Sequence, residues 1–540
     1  MKFFVLCCLA VLLALAGLAV LAGGGVVGIV GVVLLVLLLC LAVYDVVQRR
    51  HSILRNYPIA GHLRFLFEAI RPEMQQYFIE RNYDGRPYDR DTRTVIYERA
   101  KGIHGEQAFG TERDLAEPGY EWLLHTNAAL DPPEDLPRVR VGGPECTQPY
   151  DMALLNVSAM SFGALSANAI RALNAGARLG GFAHDTGEGG LTKYHLENGG
   201  DLIWEIGSGY FGARTKEGRF DPELFRDKAA HKQVKCVSLK LSQGAKPGIG
   251  GVLPASKVSA EIADARGVPK GEKCVSPPHH TVFSTPRELV RFIADLRQLA
   301  GGKPTGFKLC IGARHEFLAI CRAMVEEGTG PDFIVVDGSE GGTGAAPPEY
   351  EDHVGTPLTE GLMIVHNALV GTELRDRIRI GASGKVALGS DIIKRIAQGA
   401  DYTNAARAMM MAVGCIQAQR CHTNTCPVGV TTQDKRRARA LDVPDKSQRV
   451  HRFQEGTVKQ AQQIAGSMGL QDPSEAEPWM LIRRVDEATT RSFADLFEWL
   501  EPGELLASPR QSWAADWRRA DPDSFKARSI VVGEVDAHRR

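Results

Sequence analysis

From about residue 150 to residue 440 the chain alternates short apolar runs with stretches of helical periodicity, and few folds sustain that rhythm for so long. Strands are expected at Ala153–Val157, Val234–Lys240, Thr305–Cys310, Phe333–Val336 and Arg379–Ala382, and helices at 166–178, 287–300, 315–328, 360–370 and 390–398. Parallel strands need a crossover between them, so strand–helix repetition builds a parallel sheet; this length suits a (β/α)8 TIM barrel of the α/β class. A doubly wound sheet is the competitor. Gly207-Ser208-Gly209-Tyr210-Phe211-Gly212 has the dinucleotide spacing G-x-G-x-x-G, but the chain reaches another glycine, Gly218, where a long helix should run. It reads as a loop.

Many of the 57 glycines cluster just after expected strands, which in a barrel is the active-site end. Ser158 to Ser166 follows one strand, Lys240 to Gly248 another, Asp337 to Gly344 a third and Gly381 to Lys385 a fourth. Backbone that approaches a phosphate or a flat cofactor closely explains such an excess. Gly381-Ala382-Ser383-Gly384-Lys385, with Gly399-Ala400-Asp401 downstream, has the character of a phosphate cup formed by the last barrel loops and a helix N-terminus.

Cys415, Cys421 and Cys426 are spaced C-x5-C-x4-C and closed by Pro427. Soft thiolates this close can converge on one inorganic centre. Three ligands without a fourth nearby suit a three-iron cluster. Zinc on these cysteines and His422, or reduced buried thiols, are the other readings, although the paired C-x2-4-C spacing of structural zinc sites is missing. The remaining cysteines, of 11 in all, form no secreted disulfide framework.

Residues 3–44 are almost wholly apolar, about twice what one bilayer crossing needs, and Gly23-Gly24-Gly25 divides them. A helical hairpin is expected, with Lys2 and Arg49-Arg50-His51 keeping both ends cytoplasmic and the body on the cytoplasmic face of the inner membrane. The expected division is 1–48 transmembrane hairpin, 49–130 extension packing on the barrel, 131–440 barrel, and 441–540 helical C-terminal extension. Within the first extension, the helical spacing of Leu63, Leu66, Phe67 and Ile70 meets an interruption at Pro72. In the second, helices are expected near 447–468 and 474–500, with Trp479, Trp499, Trp513 and Trp517 packing on the body. Sixty-four basic against 64 acidic residues suggest no nucleic-acid partner.

The chain resembles the FMN-binding, iron–sulfur region of glutamate synthase. The matching segments are Met160-Ser161-Phe162-Gly163-Ala164-Leu165-Ser166, Gly187-Glu188-Gly189-Gly190, Gln243-Gly244-Ala245-Lys246-Pro247-Gly248, Ser276-Pro277-Pro278-His279-His280, Gly341-Gly342-Thr343-Gly344-Ala345 and Cys426-Pro427-Val428-Gly429-Val430. With its apolar hairpin, the whole is similar to small membrane-anchored, glutamate-synthase-related proteins of bacteria. The resemblance implies a (β/α)8 barrel with FMN at its mouth and a 3Fe-4S cluster beside it. Electrons passing through the cluster would reduce FMN, which would deliver hydride to 2-iminoglutarate to give L-glutamate. It further implies Cys415, Cys421 and Cys426 as iron ligands and Lys308 as a partner of the reduced flavin. Gly381, Ser383, Gly384 and Lys385 would hold the phosphate, and Met160, Ser161, Ser208, Gln243 and Gly342 would line the cofactor. Lys246 and Arg266 would hold 2-oxoglutarate or a related 2-oxo acid, and Glu188 would carry a proton near the imine.

Two departures stand out. Family members carry a glutamate and a glutamine where this chain has Ile249 and Val252 in the oxoacid loop. No glutamine amidotransferase, nicotinamide or FAD module is evident, so ammonia and an external electron-donor protein such as ferredoxin are the expected partners. Action on another 2-oxo or amino acid, N-substituted glutamate synthesis included, and service as an electron-transfer subunit are the alternatives.

Overall fold

Eight parallel strands close on themselves in the computed structural model, which describes residues 2–23, 25–103, 105–106 and 108–528. In chain order they are β1 (Leu155–Val157), β2 (His184–Asp185), β3 (Leu202–Ile206), β4 (Val234–Lys240), β5 (Thr305–Leu309), β6 (Phe333–Asp337), β7 (Arg379–Ser383) and β8 (Tyr402–Ala405). Each pairs with its sequence neighbours, and β8 pairs with β1. The expected barrel is present, with three strands, β2, β3 and β8, that the apolar runs did not reveal. The run expected as one strand, Ala153–Val157, is divided. Tyr150–Ala153 pairs antiparallel with Arg138–Val141, and only Leu155–Val157 enters the barrel.

That antiparallel hairpin plugs the N-terminal end of the barrel. Its Val141 and Met152 join Ala183, Ile203, Cys236, Phe333, Val335 and Tyr402 in one buried apolar cluster. Alternate strand residues, among them Trp204, Val237, Leu239, Phe307, Ile334 and Ile380, pack outward against the helices. The helices start where their sequences say they should. Thr285 accepts the N–H of Glu288 and Pro286 opens Pro286–Leu299, which buries Leu289, Val290, Ile293 and Leu296. Ser166 caps Ala167–Gly180 by accepting the N–H of Ala169 at 3.2 Å.

The C-terminal extension is helical over Val443–Ser467, and Gln454 of this helix donates to the Leu155 carbonyl at 3.1 Å, so it seals the β1 side of the barrel. The helix expected at 474–500 is absent. Leu481–Arg484 and Thr490–Ser492 form an antiparallel pair to which Glu121–Leu123 adds a third strand. Asp486 turns the chain there by accepting the N–H groups of Ala488 and Thr489. Arg314 and Arg322 lie over the rings of Trp513 and Trp517 at 4.4 and 4.2 Å, whereas Trp479 is half exposed and does not pack as expected.

Residues 1–86 form one compact unit and 87–540 another. The first unit holds two apolar helices, Lys2–Leu21 and Gly25–Val47, long enough to cross a membrane; Gly24 of the expected turn lies outside the described residues. Pro72 does not end the next long helix, Gly61–Met74; a single wider turn, Gln75–Ile79, follows it instead.

Candidate active site

Above the apolar plug the inward strand positions turn polar. Asp185, Glu205, Lys240, Lys308, Asp337 and Ser383 occupy the C-terminal ends of β2 to β7. Lys308, expected at a strand end, is buried and forms an ion pair with the equally buried Glu205. Burial opposes its charge, but Glu205, Asp185 and Asp337 outweigh burial and hold the ammonium above its ordinary value. Asp185 goes the other way: burial and the Glu205 charge lift its carboxyl well above the usual range.

Lys240 is the register partner of Lys308 and was not anticipated as a site residue. Its ammonium donates to Glu188 Oε1 at 2.8 Å and to Gln243 Oε1 at 2.6 Å, and Gln243 Nε2 reaches Thr343 Oγ1 at 3.5 Å. The loops after β2, β4 and β6 are thus tied in one chain. Burial pushes the Glu188 carboxyl up, but Lys240, Arg266 and Lys308 prevail and keep it below its ordinary value.

Lys246 and Arg266 are both nearly inaccessible. Lys246 Nζ donates to the Ala345 carbonyl at 2.9 Å, and burial, then the Lys240 charge, lowers its pKa. The Arg266 guanidinium donates to the Phe162 carbonyl at 3.2 Å and Ser161 Oγ at 3.4 Å, and lies 5.1 Å from the Phe211 ring centroid. Its Nε has no partner among the described residues. Met160 is buried in the same loop as Ser161. Ser208 Oγ donates to the Pro277 carbonyl at 2.5 Å, in a turn that leads into no long helix, which agrees with its reading as a loop.

The phosphate reading narrows. Gly381 is a mid-strand residue whose missing side chain leaves room for the Tyr402 ring: a Cβ there would sit 2.6 Å from it. It packs the barrel interior rather than a phosphate cup. Ser383 ends β7, buried, with its Oγ 3.3 Å from Ser158 Oγ. Gly384 follows at φ +154° and Lys385 is exposed. Gly342 approaches Arg407, which opens the helix after β8, so closely that a Cβ would lie 2.8 Å from its Cδ. Arg407, unmarked by any sequence motif, donates to the Glu340 carbonyl.

The cysteine stretch lies on the loop after β1: Ser166 N–H donates to the Val430 carbonyl at 2.8 Å, and Gln433 Nε2 to the Leu165 and Gly163 carbonyls at 2.8 and 3.1 Å. Lys257 is buried beneath it, donating to the carbonyls of Cys421, Thr431 and Ala164. Burial pushes the Cys415 thiol up to about 12; burial also raises Cys426, but hydrogen bonds from Thr431, Val428 and Val430 bring it below its ordinary value. Among the described residues no three His, Cys, Asp or Glu side chains converge closely enough for a single metal ion.

His280, of the Pro277-Pro278-His279-His280 segment, reaches the Lys240 carbonyl at 2.8 Å through Nε2 and Tyr210 Oη at 3.2 Å through Nδ1. Burial lowers its pKa to about 4 and that of His184, on β2, to about 3. Both values lie below the unfolded one, so their contribution is full above about pH 6.5 and is lost as pH falls through the folded pKa, up to about 3 kcal/mol for His280. The thermal midpoint should therefore drop between pH 6.5 and 4, and His184→Phe should flatten that slope. An unchanged slope in the variant would refute the assignment.

Comparison with known proteins agrees with this architecture. "Glutamate synthase large subunit-like protein YerD" of Bacillus subtilis is 38% identical over 475 residues, 80% of this chain and 89% of that protein. An archaeal-type glutamate synthase (NADPH) of Thermotoga neapolitana is 35% identical over 322 residues, 58% of this chain; the match spans only 59% of that relative's length. A solved mandelate oxidase structure aligns at 14% identity and a TM-score of 0.41, over 75% of this chain and 98% of that one, a likeness too low to add to the strand pairing. Residues 145–471 match the model of the conserved region in glutamate synthase, and the chain belongs to the glutamate synthase family of oxidoreductases.

Proposed function

We propose that this is a membrane-tethered glutamate synthase-like enzyme that holds FMN at the barrel mouth and a 3Fe-4S cluster on Cys415, Cys421 and Cys426, and reduces 2-iminoglutarate, from 2-oxoglutarate and ammonia, to L-glutamate. The observation that carries it is a pair of buried cations with spare donors. Lys246 uses one of three N–H groups, on Ala345, and the Arg266 Nε–H has no partner among the described residues. Buried cations of this kind suit the carboxylates of a 2-oxo diacid.

The residues present fit the cofactors. Ser383, Gly384 and Lys385, at the end of β7, and Arg407, at the start of the helix after β8, would hold the phosphate, and Lys308 provides a fixed positive charge inside the mouth. When bound, the flavin supplies hydride; the chain supplies alignment, charge and exclusion of water. Lys240 would hold the proton that completes amine formation, with Glu188 keeping it in place. A three-iron cluster spreads its thiolates over several irons, so it demands less convergence than a single ion does. The Gln417 N–H directed at Cys415 Sγ at 3.4 Å is the kind of donor that favours thiolate. The two apolar helices support a membrane hairpin, and a separate protein such as ferredoxin would deliver electrons.

The test is anaerobic reduction of the full-length protein followed by 2-oxoglutarate and ammonia. Flavin reoxidation with matching glutamate formation supports the proposal, and reoxidation without glutamate overturns it. Ile249 and Val252, apolar where the resemblance leads one to expect a carboxylate and an amide, favour a second reading in which the imine of another 2-oxo acid, or of a primary amine, is reduced. A panel of such pairs in the same assay separates the two. Cys421→Ser should lose the iron absorbance while retaining part of the FMN; full iron content would refute the ligand assignment.

A further inference from the structure

Within the first unit, the helix Gly61–Met74 carries an exposed apolar face. Leu63, Leu66, Phe67, Ile70, Met74 and, in the following turn, Phe78 are each between 40 and 76% exposed. At 3.6 residues per turn the five within the helix fall in an arc of about 100°, the width of a buried stripe on a surface helix. On another side of the helix Arg64 pairs with Glu68 at 2.8 Å.

Two further observations say what covers this face. The helix is anchored to the end of the second apolar helix. Asp45, wholly buried in the last turn of Gly25–Val47, accepts the N–H of Ile59 at 2.9 Å and the His62 ring Nε2 at 2.9 Å. The amphipathic helix therefore starts at the level where the preceding apolar helix ends. Moreover, residues 48–86 hold seven arginines, at 49, 50, 55, 64, 71, 81 and 86, against four acidic residues. An apolar stripe flanked by arginines, fixed to the end of a span, matches the headgroup layer of a bilayer.

We infer that Gly61–Met74 lies in the surface of the same membrane that the hairpin crosses, its Leu63–Phe67–Ile70 face among the lipid headgroups and upper acyl chains. This rests on the hairpin reading above and deepens it, turning a two-span tether into a hairpin with an in-plane foot. The Asp45–His62 contact is the hinge that sets the angle between foot and span.

The test uses the full-length protein in bilayers of phosphatidylcholine and phosphatidylglycerol, with p-benzoylphenylalanine in place of Phe67, Phe78, Glu68 or, in the second span, Leu34. After irradiation, mass spectrometry reads the adducts. Lipid adducts at Phe67 and Phe78, several-fold above Glu68, are expected alongside strong lipid adducts at Leu34. Adducts at Leu34 with none at Phe67, or polypeptide adducts at Phe67, overturn the inference and leave the hairpin standing. Absence of lipid adducts at both Leu34 and Phe67 overturns the two together.

Discussion

Lys308→Met should cost about 3–5 kcal/mol of unfolding free energy at neutral pH, because it strands the Glu205 carboxylate inside the barrel without its cation. Glu205 is 1% exposed and its Oε1 already lacks a partner among the described residues, so the remaining charge has nowhere to go. The same variant should lose FMN, since the fixed positive charge in the mouth is gone. The pH dependence follows from the sign. A lone buried carboxylate takes up a proton, its folded pKa rises above the unfolded value, and stability is lost as pH rises through that folded pKa. Lys308→Met should therefore approach the wild type near pH 5 and depart from it at pH 8. Adding Glu205→Gln should recover most of the loss at neutral pH. Denaturant unfolding across pH checks all three, and a single variant as stable as the wild type at pH 8 would show that Glu205 finds other compensation.

Gly244→Ala is the second large effect. A Cβ at Gly244 would sit 1.7 Å from the Gly338 carbonyl oxygen, backbone against backbone, with no flexible side chain able to yield. The Gly244 N–H also donates to Asp337 Oδ2 at 2.8 Å, and that bond is lost if the loop backs away. Overpacking of this kind costs about 1–3 kcal/mol and the hydrogen bond to a charged group about as much again. The larger consequence is functional. Displacing this loop moves Lys246 off Ala345 and Gln243 off Lys240, so the Michaelis constant for the oxo acid should rise and turnover fall in a chain that still folds. Wild-type kinetics in Gly244→Ala would mean that the two loops are not locked together.

How much of this was legible in the sequence follows from polarity. β4 and β6 announce themselves because most of their residues bury apolar side chains, and β5 and β7 show through Phe307, Leu309, Ile380 and Ala382. β3, Leu202-Ile203-Trp204-Glu205-Ile206, was missed although it is as apolar as β6, whereas β2 is only His184 and Asp185 and β8 reads Tyr402-Thr403-Asn404-Ala405. The positions that make these strands hard to see are those that face the mouth, and a polar site erases the signal of the strand that carries it. The glycine segments located the loops well, yet the sequence gives no sign that Gly381 clears space for Tyr402 rather than for a ligand. Lys240 and Arg407 lay within or beside recognised segments and were missed because a strand-end lysine or a helix-start arginine has no motif of its own. The hairpin at 481–492 was read as helix because a three-residue strand such as Thr490–Ser492 is too short to show its period.

The plug formed by Arg138–Val141 and Tyr150–Ala153 also dictates traffic. With the floor closed by apolar side chains, nitrogen source, carbon skeleton and product of the proposed reaction would all pass through the strands' C-terminal rim. Departure must then precede re-entry, and excess product should compete with the incoming acid for the same vacancy.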